Sequence, residues 1–196
     1  MTSVNSIQDY VARISLALSA TSSEKIDEVI KIILNCSENG GTIWLMGNGG
    51  SASTSSHFAT DLSRCTNSKG ESIKGISLCD NSSLITAIGN DFGFQEIFVK
   101  QLTNLTKKSD LLITISASGN SENIIKAIEY AKSNAIKTVA LNGFNGGRVH
   151  EICDFSIHVP TTIGDYGVAE DAHSIISHFI CSQIKNMRKN ENIAIS

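Results

Sequence analysis

Three stretches of the chain hold residues whose types and spacing could do chemistry. In SASGNSENIIKAI, Ser116, Ser118, Gly119, Asn120 and Ser121 lie between an apolar run and an amphipathic segment. A strand that turns straight into a helix presents unpaired N–H groups and partial positive charge, a setting that suits a phosphate. Serine hydroxyls add donors, and Gly119 lets the backbone approach closely. A plain helix cap also favours Ser and Asn, but one cap needs one such residue, and four polar residues fall here within six positions. The second stretch, GNGGSASTSSHFATDL, puts Asn48, Gly49, Gly50 and Ser51 in the same strand–turn–helix setting. It lacks the GK[ST] of a Walker A loop, and Gly47, Gly49 and Ala52 match only the looser GxGxxA dinucleotide pattern. The acidic ribose ligand such a pattern needs is poorly placed, because Glu71 precedes the second strand instead of ending it. A small phosphorylated ligand is expected, and no nucleotide cofactor.

The third set is divided between two helices. His57 and Asp61 are four residues apart and share a helix face, which suits a metal pair, an acid–base pair or an ordinary surface contact. The last helix adds Glu170, Asp171, His173 and His178, with Glu170 and His178 two turns apart on one broad face. Two imidazoles and two carboxylates make a donor set for zinc, though spacing alone does not bring His57, Asp61, Glu170 and His178 together. Asn90 and Asp91 interrupt the apolar stretch AIGNDFGF, where the stop of one helix and the cap of the next is the simpler reading. His150 and His158 read as structural or exposed, and Trp44 as core.

The elements that must position these residues follow from periodicity. Apolar residues at three- and four-residue spacing predict helices over Ile7–Leu18 and Ile26–Ile33, with Thr21, Ser22 or Ser23 as a cap and an end near Gly40 and Gly41. Strands are expected at Thr42–Gly47, Lys74–Cys79, Leu111–Ser116, Lys137–Asn142 and Asp154–Val159. Between them run helices to about Arg64, at Ser82–Ile88 and Phe94–Leu105, and to about Ala131; a long one over Val168–Met187 closes the chain. Short apolar strands alternating with helices imply a parallel sheet covered on both faces. The expected fold is α/β, a three-layer doubly wound sheet of about five parallel strands with an N-terminal helical hairpin. A single domain over 1–196 is expected, with helices to 40, an α/β core over 41–188 and a frayed tail over 189–196. Such sheets bind ligands at the carboxyl ends of their strands, where strand order switches.

Composition narrows the class. The 196 residues are 41% hydrophobic and 18% charged, with a formal charge of −3. No strong basic field exists to hold nucleic acid or an anionic membrane. No apolar run reaches the ~18 residues of a membrane span, and the N-terminus lacks the basic and apolar regions of a secretory signal. Five cysteines, scattered and without a CxxC pair, fit reduced thiols in a cytoplasmic protein.

Taken together, MGNGGSASTSSHFATDLSR, IGNDFGF, ISASGNS and EDAHSIISH resemble sugar isomerase (SIS) domains, specifically the phosphoheptose isomerase family, over essentially the whole chain. The resemblance implies the SIS fold, which is flavodoxin-like, and conversion of sedoheptulose 7-phosphate to D-glycero-D-manno-heptose 7-phosphate for lipopolysaccharide, capsule or related glycan precursors. It implies a homotetramer with active sites at subunit interfaces, and one zinc ion per subunit. Carried over by motif, substrate contacts come from Asn48, Gly49, Gly50, Ser51, Asn90 and Asp91. The phosphate loop comprises Ser116, Ala117, Ser118, Asn120 and Ser121, while His57, Asp61, Glu170 and His178 take the metal and acid–base positions. Asp61 and Glu170 also face substrate. Two departures stand out: Asp61 replaces the family's Glu with a side chain one methylene shorter, and Glu170 replaces its Gln, changing charge and donors.

Aldose–ketose isomerisation moves a proton between C1 and C2 through an enediol or enediolate, so it needs a base, an acid and electrophilic help at the carbonyl oxygen. Asp61 and His178 are the expected proton-handling pair. The competing readings are an isomerase of another sugar phosphate and a non-catalytic SIS protein resembling replication-initiation regulators. Fold alone decides between none of these.

Overall fold

The computed structural model describes residues 6–67 and 69–190. Ser6 and Ser22 accept the backbone N–H groups of Asp9 and Lys25 and so start the two N-terminal helices, α1 (Ile7–Ser19) and α2 (Ser23–Glu38). The strands are β1 (Ile43–Gly47), β2 (Gly75–Ser77), β3 (Leu111–Ser116), β4 (Lys137–Asn142) and β5 (Phe155–His158). They form one sheet in the order β2-β1-β3-β4-β5, with every pairing parallel. Both β1 and β3 are buried along their whole length, which is why their apolar runs are continuous and not alternating.

Alternate residues feed two cores. Ile43, Leu45, Ile113 and Leu141 pack with α1, α2, α3 (Gly50–Ser63) and α8 (Tyr166–Asn190) on one face. Trp44, Met46, Leu112 and Ala140 pack on the other with α4 (Ser82–Phe92), α5 (Val99–Leu105), α6 (Glu122–Ser133) and α7 (Gly147–Ile152). This is the three-layer α/β sheet expected. Trp44 is core, as read, and its indole N–H donates to Asp110 Oδ2 at 2.9 Å.

Several boundaries differ for local reasons. The second strand is only Gly75–Ser77, because β2 is an edge strand paired with β1 no further than Ser77, whose hydroxyl then accepts the Cys79 N–H. Helix α4 runs past Ile88 to Phe92 and is stopped by Gly93, whose φ of 96° takes the chain out of helix. The expected Phe94–Leu105 helix is a 3-10 turn at Phe94–Glu96 followed by α5. Helix α7, six residues between glycines and β5, was not expected at all. Residues 189 and 190 belong to α8; the rest of the expected tail, 191–196, lies outside the described residues.

The end of α8 is anchored by a buried arginine. Arg188 donates to the carbonyls of Cys65 at 2.7 Å and Glu71 at 3.1 Å, and to Ser37 Oγ at 2.8 Å. At its beginning, α8 receives α1 through the Arg13–Asp165 ion pair and a 2.8 Å bond from the Tyr10 hydroxyl to Asp171. Burial first, and then that bond, push the Tyr10 phenol up to about 12. Among the described residues no helix is long and apolar enough to cross a membrane.

Candidate active site

Strand order reverses between β1 and β3, and the loops leaving these two strands meet there. After β1, Asn48 exchanges two amide hydrogen bonds of 2.9 Å with Asn123, a buried residue in the first turn of α6. After β3, Ser116 Oγ accepts the Gly119 N–H at 3.0 Å, and Ser118 Oγ accepts the Asn120 N–H at 3.3 Å. Gly119 has φ of 64°, and a Cβ there would fall 1.9 Å from the Gly146 carbonyl, so only glycine allows the loop to lie against the start of α7. The Asn120 carboxamide is committed to structure, donating to Ser118 O and accepting the Arg148 N–H. Ser121 precedes α6 without a side-chain capping bond, so its hydroxyl is spare for a ligand at the helix N-terminus.

A cavity of about 70 Å³ lies between these loops and α8. Asn48 and Ser51 line it from the first loop and α3, Ser116, Ala117, Ser118 and Ser121 from the second loop, and Tyr166 and Glu170 from α8. A Cβ on Gly50 would sit 2.3 Å from a Glu170 carboxylate oxygen, so glycine at the start of α3 makes room for that carboxylate. Burial, and next the charge of Asp171, hold the Glu170 carboxyl above the usual carboxylate range. Wider hollows of about 410 and 450 Å³ lie at the opposite ends of the strands, around Ala135 and Lys137, and none of the expected site residues lines them.

The same two helices that wall the cavity also carry the imidazoles. His57 Nε2 lies 3.6 Å from Asp61 Oδ2, His178 Nε2 lies 3.8 Å from the same oxygen, and the two Nε2 atoms are 3.4 Å apart. One ligating atom from each of the three residues falls within 4.8 Å of the others, which is a donor set able to hold a metal ion. Asp61 is mostly covered at 17% side-chain exposure, whereas the rings are about half exposed, at 55% and 50%. Glu170, expected as a fourth metal ligand, is not in this group: it stands two turns before His178 and turns toward Gly50 and the cavity.

Other expectations fare differently. Asn90 and Asp91 sit in the last turn of α4, exposed and bonded to each other at 2.9 Å, and line neither the cavity nor the trio. The stop of that helix is Gly93, not Asn90. His158 is structural, its Nε2 lying 3.0 Å from the Phe144 carbonyl, and His150 Nδ1 lies 2.8 Å from Ser156 Oγ. His173 is fully buried, and that burial pushes its ring down to about 4. Neither ring nitrogen has a hydrogen-bond partner of ordinary geometry among the described residues, and the Asn142 backbone, which favours the charged ring, does not offset the burial. Sequence reasoning missed Asn123 and Tyr166. The signal for Asn123 was an amide in the otherwise apolar buried series of α6, which runs Ile124, Ala127, Ile128, Ala131.

Comparison with known proteins places this arrangement. The SIS domain model matches residues 8–143. The phosphoheptose isomerase of Aliarcobacter butzleri is 39% identical over 166 residues, covering 85% of this chain and 87% of that one. Among solved structures, the phosphoheptose isomerase of Francisella tularensis superposes with a TM-score of 0.83 at 31% identity, covering 95% of this chain and all of that one. That of Neisseria gonorrhoeae gives 0.82 at 30% identity, covering 92% and 100%. The fold, the serine-lined cavity and these likenesses agree: the chain belongs to the SIS-domain family, in its phosphoheptose isomerase group, and is a sugar phosphate isomerase.

Proposed function

We propose that the chain converts sedoheptulose 7-phosphate to D-glycero-D-manno-heptose 7-phosphate, supplying lipopolysaccharide, capsule or related glycan synthesis. The observation that carries this reading is that α3 and α8 each serve both the cavity and the trio. Ser51 and His57 are six residues apart on α3, and Glu170 and His178 eight apart on α8, so cavity and trio stand about 9–12 Å apart along the helices. That separation fits a ligand with phosphate at one end and its reacting carbons at the other. Relatives named for a seven-carbon sugar phosphate point the same way.

In this reading the hydroxyls of Ser116, Ser118 and Ser121, with the α6 N-terminus, bind the phosphate. Asn48, Gly49, Gly50 and Ser51 flank the sugar from the β1 loop, and Asn120 shapes the phosphate loop through its backbone bonds. Asp61 and His178 take and return the proton between C1 and C2, since a carboxylate and an imidazole can each act as base in one direction and acid in the other. Glu170, between the two ends, accepts hydrogen bonds from sugar hydroxyls. His57, Asp61 and His178 would hold one zinc ion per subunit, and the metal would supply Lewis acidity toward the carbonyl oxygen.

Homotetramer assembly, with sites completed across subunits, belongs to the same proposal. Ile175 and Phe179 are exposed on α8 beside His178, as are Phe92 and Phe94 beside Asn90 and Asp91. Apolar groups at such positions are what a contact between copies would cover, and it would let Asn90 and Asp91 reach a neighbour's substrate.

The deciding experiment is NMR of the purified chain with sedoheptulose 7-phosphate in deuterated water, with and without zinc. Appearance of the aldoheptose phosphate with deuterium at C2 is expected. No turnover in either condition would overturn the heptose assignment, and a screen of other ketose phosphates would follow.

A further inference from the structure

The seam between α3 and α8 holds a second constellation that the isomerisation does not use. Cys65 follows Arg64, the cap that ends α3, and Cys181 lies on α8, so the fold brings together two cysteines 116 residues apart. Cys65 Sγ lies 3.2 Å from the Asp61 carbonyl and 3.7 Å from the Cys181 carbonyl, so the Cys65 thiol donates to the backbone of the very residue that carries the second thiol. Both are covered, at 0% and 2% exposure. Each stands one turn beyond a member of the trio: Cys65 four residues after Asp61, and Cys181 three after His178. Among the described residues the other three cysteines have no second cysteine beside them, and the thiols of Cys36, Cys79 and Cys153 meet backbone carbonyls.

Beside the pair opens a hollow of about 360 Å³, lined by Arg64, Thr66, Asn67, Lys185, Arg188 and Lys189. Arg64 and Thr66 are the chain neighbours of Cys65, and Arg188 grips its carbonyl. A small polar oxidant entering there reaches the residues on either side of Cys65. Two buried thiols can also be mere packing, since a free cysteine behaves as a small apolar group. Packing alone does not require the Cys65 thiol to point at the Cys181 backbone next to an open hollow.

We propose that Cys65 and Cys181 form a reversible disulfide, driven by hydrogen peroxide, which ties α3 to α8 directly behind His57, Asp61 and His178. The step balances as follows. The Cys65 sulfur attacks the O–O bond, a sulfenic acid forms on Cys65, and the departing oxygen leaves as water with the thiol proton. The Cys181 sulfur then attacks the Cys65 sulfur, the S–S bond forms, the S–O bond breaks and a second water leaves. Two thiols are oxidised by two electrons and the peroxide is reduced to two waters. A disulfide sets the sulfurs about 2 Å apart, closer than two thiols in contact, so it draws α3 and α8 together one turn from the imidazoles and shifts their spacing. Control of the active site is the one part of this proposal that rests on the functional reading above.

The test uses the whole chain treated with hydrogen peroxide, alkylated, and digested without reductant. Mass spectrometry should find a Cys65–Cys181 linked peptide and the loss of two of the five free thiols. Turnover of sedoheptulose 7-phosphate should fall at least fivefold in step with the link, and dithiothreitol should restore both. Cys181→Ser should abolish the link and the loss of turnover, while Cys79→Ser should leave both as in the natural chain. Thiol loss without the linked peptide, or a link joining other cysteines or two chains, overturns the disulfide. The link with unchanged turnover overturns its control of the site. If the untreated chain does not turn over the sugar, the heptose reading fails on its own, and the peptide map of the natural chain still decides the disulfide.

Discussion

The loop after β3 is tied first within itself and then to a helix 28 residues on, whereas the seam between α3 and α8 joins rings 121 residues apart. The loop is held in advance: Ser116 and Ser118 tie down the turn, Asn120 and Gly119 fasten it to α7, and the Ser121 hydroxyl is left over. The seam pairs His57 with Asp61 along α3 but depends on α8 to bring His178 to both. His57 and His178 are half exposed, and what sets their separation is the packing of Phe58, Leu62, Cys181 and Ile184 beneath them. Binding geometry is thus written locally and proton-handling geometry globally. Damage to one should separate kinetically from damage to the other.

The largest effect should come from the seam. His178→Ala should lower turnover by about 10²–10⁴-fold while leaving KM within a few-fold, as expected when a general acid–base group is removed. A steady-state assay checks this, and full activity would break the assignment. Next in size, Gly119→Ala should cost about 3 kcal/mol of stability, because the new Cβ would fall 1.9 Å from the Gly146 carbonyl at a positive φ. Denaturant unfolding measures that cost, and a neutral result would mean the loop is not pinned as described. Ser118→Ala should act on binding alone, raising KM roughly tenfold with turnover kept, since a hydrogen bond to a charged group contributes about 1.5–3 kcal/mol. A fall in turnover with unchanged KM would erase the distinction between loop and seam.

The smallest effect is a slope. Burial lowers the His173 ring from its ordinary 6.5 to about 4 in the folded chain. Above pH 6.5 neither state carries the proton and stability is unaffected. As pH falls below that value the unfolded chain takes up a proton that the folded chain refuses, so stability should decline toward pH 4. The slope from this one group approaches about 1.4 kcal/mol per pH unit. The melting temperature of the natural chain should therefore fall more steeply over that window than that of His173→Phe. Equal slopes would show that the folded chain takes up the His173 proton as readily as the unfolded one.

The sheet was largely legible because its central strands are uninterrupted apolar runs bounded by glycine or polar turns, and Leu111–Ser116 and Lys137–Asn142 match residue for residue. The serine loop was legible for the same reason that makes it rigid: all its parts are neighbours in sequence. Shorter elements failed. Helix α7, which starts at Gly147 directly after Gly146, offers too few residues for a helical period to show, and β2 is cut short because it lies at the sheet edge beside β1 alone. The histidine cluster was only half readable. The i, i+4 pairing of His57 with Asp61 is visible in sequence, but the side on which Glu170 falls depends on how close α8 comes to Gly50, a contact no spacing reveals. The same holds for Cys65 and Cys181, which looked like scattered thiols.

Helix α8 has a consequence for how the molecule comes into being. It receives α1 through Tyr10 and Arg13, presents His178 to His57, and through Arg188 secures Ser37, Cys65 and Glu71. During synthesis the sheet strands can pair as they emerge, but the first helix has no surface to dock on until the last has been made. Every nascent chain therefore passes through an interval in which α1 and the part of that core which α8 closes stand uncovered, and the active centre is among the last parts to exist.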